Sequence, residues 1–145
     1  MSRDDFLTAA VEEAKKGRDT GGIPIGSVLV RDGKILGRGH NQRVQQDDPM
    51  AHAEIDALKN AGRIGSYRDT VLYSTLSPCY LCSGAVVQFG VPKVVVGESK
   101  TFPGAPDFLK SHGVEVIDVS DPECVELMET FIRNNPNLWN EDIGK

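Results

Sequence analysis

Four residues of this 145-residue chain have the types and spacing to do metal-assisted hydrolytic chemistry: His52, Glu54, Cys79 and Cys82. One imidazole and two thiolates give Zn²⁺ three protein ligands and leave a fourth position for water, which is the pattern of a catalytic site. Two thiolates cancel the charge of the ion, so its water is acidified less than it would be over three neutral imidazoles. A carboxylate beside that water can take its proton. Glu54 is therefore assigned as proton shuttle and not as a ligand. One zinc per chain is expected.

The elements around these residues predict how they are held. Asp4 to Lys16 has apolar residues at helical spacing and stops at Gly17. Ile25–Val30 and Ile35–Arg38 flank Asp32-Gly33, a hairpin signal. Gly39 to Met50 reads as polar and irregular. His52 opens a helix that runs to Ala61 and ends at Gly62. Thr70–Thr75 reads as a buried strand, Tyr80–Phe89 as a helix closed by Gly90, and Lys93–Gly97 as a second buried strand. A loop with two prolines spans Ser99 to Pro106. It leads to a short helix over Asp107–Ser111, a strand over Val114–Val119 and an amphipathic helix over Pro122–Arg133. The last segment, Asn134 to Lys145, is polar except for Leu138, Trp139 and Ile143.

This order predicts an α/β protein: a three-layer α/β/α sandwich with a central five-stranded mixed sheet. Its first two strands are antiparallel and the later ones parallel. Both His52 and Pro78-Cys79 then stand at helix starts. The positive ends of two helix dipoles would point at the ion and favour thiolate over thiol.

Composition narrows the classes of function. Sixteen Lys and Arg against 21 Asp and Glu give a net charge of −5, which disfavours electrostatic capture of nucleic acid or an anionic membrane. No apolar stretch approaches the roughly 20 residues of a membrane span. The 39% hydrophobic content suits one folded domain over residues 1–145. Met1 to Phe6 carries two acids and no apolar core of a signal peptide, so a cytoplasmic protein with reduced thiols is expected. A redox role for Cys79 and Cys82 leaves His52 and Glu54 unexplained. A zinc-stabilised binding protein without turnover leaves Glu54 unexplained. Cys124 sits among Val125, Leu127 and Met128 and is read as core, while His40 and His112 have no partner at ligand spacing.

His52-Ala53-Glu54 with Pro78-Cys79-Tyr80-Leu81-Cys82 matches the H-x-E…P-C-x-x-C signature of zinc deaminases. Beyond that signature, the chain resembles the fungal-type cytosine deaminases of the cytidine-deaminase-like superfamily from Gly21 to Gly144. The likeness is carried by Gly22-Ile23-Pro24-Ile25-Gly26, Gly37-Arg38-Gly39-His40-Asn41, Leu76-Ser77-Pro78-Cys79, Cys82-x-Gly84-Ala85, Val95-Val96-Gly97-Glu98 and Trp139-Asn140-Glu141-Asp142-Ile143-Gly144. It implies hydrolysis of cytosine to uracil and ammonia by a homodimer with one zinc per subunit.

The resemblance also implies a set of substrate contacts. Asn41 matches the pocket amide that binds the pyrimidine carbonyl and ring edge. Asp142 matches the carboxylate that receives ring or amino hydrogens. Ser77 would offer its backbone carbonyl to the exocyclic amine, and the Ala53 N–H would face the base oxygen. Phe102 and Trp139 look like an aromatic gate. Residue chemistry alone leaves other readings open: turn chemistry for Asn41, solvation for Asp142, a packing anchor for Trp139 and loop burial for Phe102.

The chain departs from the fungal pattern at Ala53, where glycine is usual, at Tyr80-Leu81, and along the loop Ser99 to Asp107. Two rival readings share the zinc residues: a deaminase of another free amino-base such as guanine, and a tRNA adenosine deaminase. The second wants a positive surface, and Lys15-Lys16 with Arg18 is the densest basic cluster available.

Overall fold

A computed structural model describes residues 3–145. Its elements are α1 (Asp5–Asp19), β1 (Gly26–Arg31), β2 (Lys34–His40), α2 (Arg43–Gln46), α3 (Ala53–Ala61), β3 (Thr70–Ser74), α4 (Tyr80–Phe89), β4 (Lys93–Val96), α5 (Pro106–Ser111), β5 (Glu115–Asp118), α6 (Pro122–Asn134) and α7 (Pro136–Asp142). The five strands form one mixed sheet in the order β2-β1-β3-β4-β5. β1 pairs antiparallel with β2 and with β3. β3, β4 and β5 run parallel.

Alternation along the strands builds two cores. Leu29, Leu72, Val94 and Val96 face Leu58 of α3, Val86 of α4 and Leu109 of α5. Val28, Val30, Tyr73 and Val95 face Leu7, Ala9 and Ala10 of α1 on the other side. Because the side-chain period of a strand is two, a one-residue slip would exchange these faces. A third cluster at the strand ends contains Ile23, Ile25, Ala53, Leu76, Met128 of α6 and Trp139 of α7.

The antiparallel hairpin turns on Asp32 and Gly33, both at positive φ (51° and 74°), as a two-residue turn of this kind requires. Close approach fixes a second glycine. A Cβ on Gly26 would lie 1.9 Å from the Ala10 carbonyl oxygen, so α1 rests directly on the β1 backbone. The chain enters α1 through Asp4, whose Oδ1 accepts from the Leu7 N–H, and α6 through Asp121, which accepts from the Cys124 N–H.

Two elements were not expected. The stretch from Gly39 to Met50 continues β2 to His40 and then forms α2. Four residues hold barely one turn, too short for a 3.6-residue period to be visible. The polar tail forms α7, with Pro136 in its first turn and Trp139 buried. Cys124 is core at 1% exposure, as expected. His40 is half-buried and its Nδ1 lies 3.2 Å from Glu13 Oε1, while His112 is exposed against Phe108. Among the described residues no helix is long and apolar enough to cross a membrane.

Candidate active site

The ends of β1 and β3 and the starts of α3 and α4 converge on one cavity of about 420 Å³. His52 is the N-cap residue of α3 and Cys79 the N-cap residue of α4, yet neither side chain caps its helix. Both are turned to each other instead. His52 Nδ1 lies 3.5 Å from Cys79 Sγ and 3.6 Å from Cys82 Sγ. Zinc with bonds of about 2.3 Å to sulfur and 2.0–2.1 Å to nitrogen would set tetrahedral N···S edges of about 3.5–3.6 Å. All three ligand atoms lie within 4.8 Å of one another, so the donor set fits the ion in chemistry and in spacing.

Among themselves these side chains share protons. The hydrogen bond with Cys79 is the main cause that pushes His52 up to about 9. The hydrogen bond with Cys82 draws Cys79 down to about 4, and the same bond together with burial raises Cys82. These contacts favour a thiolate on Cys79 and a proton on His52, and a cation entering the set would displace the remaining protons. Glu54, one residue into α3 and 5% exposed, is pushed up to about 7, chiefly by burial and then by the Cys79 charge.

Of the six expected substrate contacts, Asn41, Ser77, Phe102, Trp139 and Asp142 line this cavity, while Ala53 lies behind its surface. Asn41 is buried, and its Oδ1 accepts from the Arg43 N–H at 3.0 Å. That contact settles which end of the amide is which: the oxygen faces the backbone, and Nδ2 is the end left to donate. Ala53 opens α3, where first-turn N–H groups lack intrahelical partners, and its methyl is fully buried. Ser77 lines the cavity. Its N–H donates to the Glu98 carbonyl at 3.0 Å and its Oγ donates to the Pro103 carbonyl at 2.7 Å.

Phe102 meets Trp139 edge to face, with ring centroids 5.7 Å apart and planes at 88°. Both rings line the cavity, and Trp139 also packs in the third core cluster. Trp139 thus both packs in the core and borders the cavity. Asp142 is drawn out of solvent, with 6% side-chain exposure. Its Oδ1 has no hydrogen-bond partner and lies 3.8 Å from His52 Nε2. Burial raises its pKa, while the charges of His52 and Arg43 pull the other way.

The divergent loop is tied down close to the cavity. Thr101 is held by Glu98 through its N–H and its hydroxyl, and the Ala105 N–H donates to the Pro78 carbonyl at 3.0 Å. Sequence reasoning missed Arg43, which faces the cavity from α2, and the apolar lining Ile25, Leu76 and Ile143. The apolar three were legible only as strand ends and tail. Adjacency to Asn41 was the sole signal for Arg43.

Residues 1–98 match the family described as the cytidine and deoxycytidylate deaminase zinc-binding region. The chain is 46% identical over 142 residues to the cytosine deaminase of Candida albicans, covering 96% of this chain and 95% of that protein. It is 37% identical over 140 residues to a tRNA-specific adenosine deaminase of Streptococcus pyogenes serotype M18, covering 88% of each. A solved structure from work on A-to-I editing by tRNA:A34 deaminases superposes with a TM-score of 0.76 at 27% identity, over 86% of this chain and 99% of that one.

Proposed function

From the premise that the chain belongs to the cytidine and deoxycytidylate deaminase zinc-binding family, we propose that it hydrolyses cytosine to uracil and ammonia. The observation that carries this reading is the buried, unpartnered Asp142 oxygen, which shares one cavity with Asn41, Glu54, His52 and Cys79. An acceptor without a donor beside an amide that can donate suits an amino-heterocycle with a carbonyl.

Asn41 Nδ2 and the Ala53 N–H hold the pyrimidine carbonyl. Asp142 and the Ser77 carbonyl take the N–H groups of the amine, the Ser77 hydroxyl and N–H being engaged elsewhere. Phe102 and Trp139 cover the ring. His52, Cys79 and Cys82 would hold a zinc ion, which would supply the Lewis acidity that makes a water a nucleophile at neutral pH. Glu54 takes the proton from that water and gives it to N3. It then carries a second proton to the departing amine, so one water is consumed for each ammonia released.

A free base is favoured over tRNA by the surface. Lys16 pairs with Glu13, Lys15 with Glu123 and Arg18 with Asp19, which leaves the basic cluster neutralised. The likeness to tRNA deaminases keeps a polymer substrate as the second reading, and guanine or another amino-base remains the nearer rival. We further propose a single domain over residues 1–145, acting as a homodimer in the cytoplasm in pyrimidine salvage. The apolar groove between α3 and α4, with Phe89 49% exposed, suits a second copy of the chain. Phe89→Glu should then convert dimers to monomers in sedimentation.

The deciding experiment is uracil formation by the zinc-loaded protein beside Glu54→Ala. Turnover lost in the variant, with zinc retained, supports the reading. Zinc-loaded, folded protein that acts on tRNA or guanine and not on cytosine overturns it.

A further inference from the structure

We infer that Arg43 is a positioning residue that couples the two ends of the base pocket, fixing Asn41 through its backbone and Asp142 through its guanidinium. The inference rests on the amino-base reading above and adds a residue that neither the motif nor the fold assigns.

Arg43 stands at the first position of α2, with 14% side-chain exposure. Its N–H donates to Asn41 Oδ1 at 3.0 Å. Its Nη1 donates to the Pro49 carbonyl at 3.2 Å, and its Nη2 reaches Glu141 Oε1 at 3.3 Å. Nη1 also lies 3.7 Å from Asp142 Oδ1, beyond hydrogen-bond distance. The attraction to Asp142 is thus through charge alone, and it leaves the oxygen's lone pairs free for a ligand N–H. Little solvent screens it, because both side chains are largely buried.

A second donor competes for the same oxygen: with Nδ1 turned to the two thiols, the other ring nitrogen of His52 faces Asp142. His52 Nε2 is 3.8 Å from Asp142 Oδ1. Arg43 holds the carboxylate between itself and His52, and without it the carboxylate is free to close on the imidazole and leave the amine unrecognised. The planar fork matters because one group serves Pro49, Glu141 and Asp142 together, which a point charge on a lysine stem cannot do. Asn41 depends on the backbone N–H, so a side-chain substitution at position 43 disturbs the Asp142 end and spares the carbonyl end.

The test compares wild type, Arg43→Met, Arg43→Lys and Glu141→Ala as zinc-loaded proteins. It reads kcat and KM for cytosine, and the inhibition constant of pyrimidin-2-one, which keeps the carbonyl and lacks the amine. Arg43→Met should lower kcat/KM by about tenfold to a hundredfold, the scale of a small misplacement of a positioning group. Arg43→Lys should recover only part of this. The inhibition constant should change by less than about twofold, since that ligand makes no amine contact. Glu141→Ala, an exposed partner in the same cluster, should leave both values within about twofold.

Full activity in Arg43→Met, or an equal loss for cytosine and pyrimidin-2-one, overturns the inference. So does an equal loss in Glu141→Ala, which would mean that the arginine only docks α7. If Arg43→Met does not fold, Arg43→Lys decides by the same readings. Wild type that makes no uracil overturns the cytosine reading instead. Arg43 is then judged by quenching of Trp139, the single tryptophan, with other amino-bases and their amine-free counterparts. Equal loss of both kinds of ligand in the variant again rejects the claim.

Discussion

His52 Nδ1 and Cys79 Sγ approach to 3.5 Å across a separation of 27 residues, each at the N-cap position of a helix and neither side chain bonding the amides of its first turn. Helix starts favour Ser, Thr, Asp or Asn, whose side chains bond the first-turn amides. Here the cap positions are given to metal ligands, so local helix stability is forgone at both helices that carry the chemistry. Zinc restores it, since binding an ion that only the folded chain can hold is itself folding free energy.

Cys79→Ser should therefore lower zinc affinity by at least about a hundredfold and lower the melting temperature of the zinc-loaded protein. Cys124→Ser, in a core position away from the site, should keep about one zinc per chain. Metal analysis after gel filtration and a thermal melt with and without chelator check both. Equal zinc in the two variants would reject the ligand assignment.

Phe102→Ala should raise KM for the base by about tenfold with a smaller change in kcat. Stacking of a base on an aromatic ring contributes about 1–3 kcal/mol, and the variant also removes the edge contact that holds Trp139. Steady-state kinetics separates this from a loss of chemistry, which would appear in kcat.

The sheet, the hairpin turn and the helices that carry His52 and Cys79 were legible because each rests on local signals: alternation, Asp-Gly, and glycine stops at Gly62 and Gly90. The metal set was legible because three ligand types and a carboxylate recur at a spacing that few other roles demand. Asn41, Asp142, Phe102 and Trp139 were reached only by resemblance. Their residue types are common in loops and tails, and what singles them out is long-range. Asp142 becomes informative only when burial removes its solvent and no donor replaces it. Arg43 stayed hidden because two of the three residues that its guanidinium meets, Glu141 and Asp142, lie at the far end of the chain.

Gly26→Ala should destabilise the fold by about 2–3 kcal/mol or more, as overpacking against backbone that cannot shift does. The added carbon would lie 1.9 Å from the Ala10 carbonyl oxygen and 2.5 Å from the Ala14 nitrogen. Denaturant unfolding checks the midpoint. An unchanged midpoint would mean that α1 can lift from β1, and with it the Glu13 contacts to Arg38 and His40 that lead to Asn41.

Stability should fall at alkaline pH through Tyr73. Its ring is buried in the α1-side core and its hydroxyl donates to Asp4 Oδ2 at 2.9 Å, while Asp4 Oδ1 caps α1. Burial, then the bond to a carboxylate, pushes the phenol from 10.0 up to about 12. The folded chain therefore keeps a proton that the unfolded chain releases first. The contribution is complete below the unfolded value of about 10 and is lost as pH rises through about 12, which amounts to roughly 2 kcal/mol for a shift of this size. Tyr73→Phe has no proton to hold, so its stability relative to wild type should improve by that amount between pH 10 and 12. Chemical denaturation of both proteins across that window measures the difference. Parallel pH profiles would mean that the phenol is not held by Asp4, and that α1 is anchored by its apolar face alone.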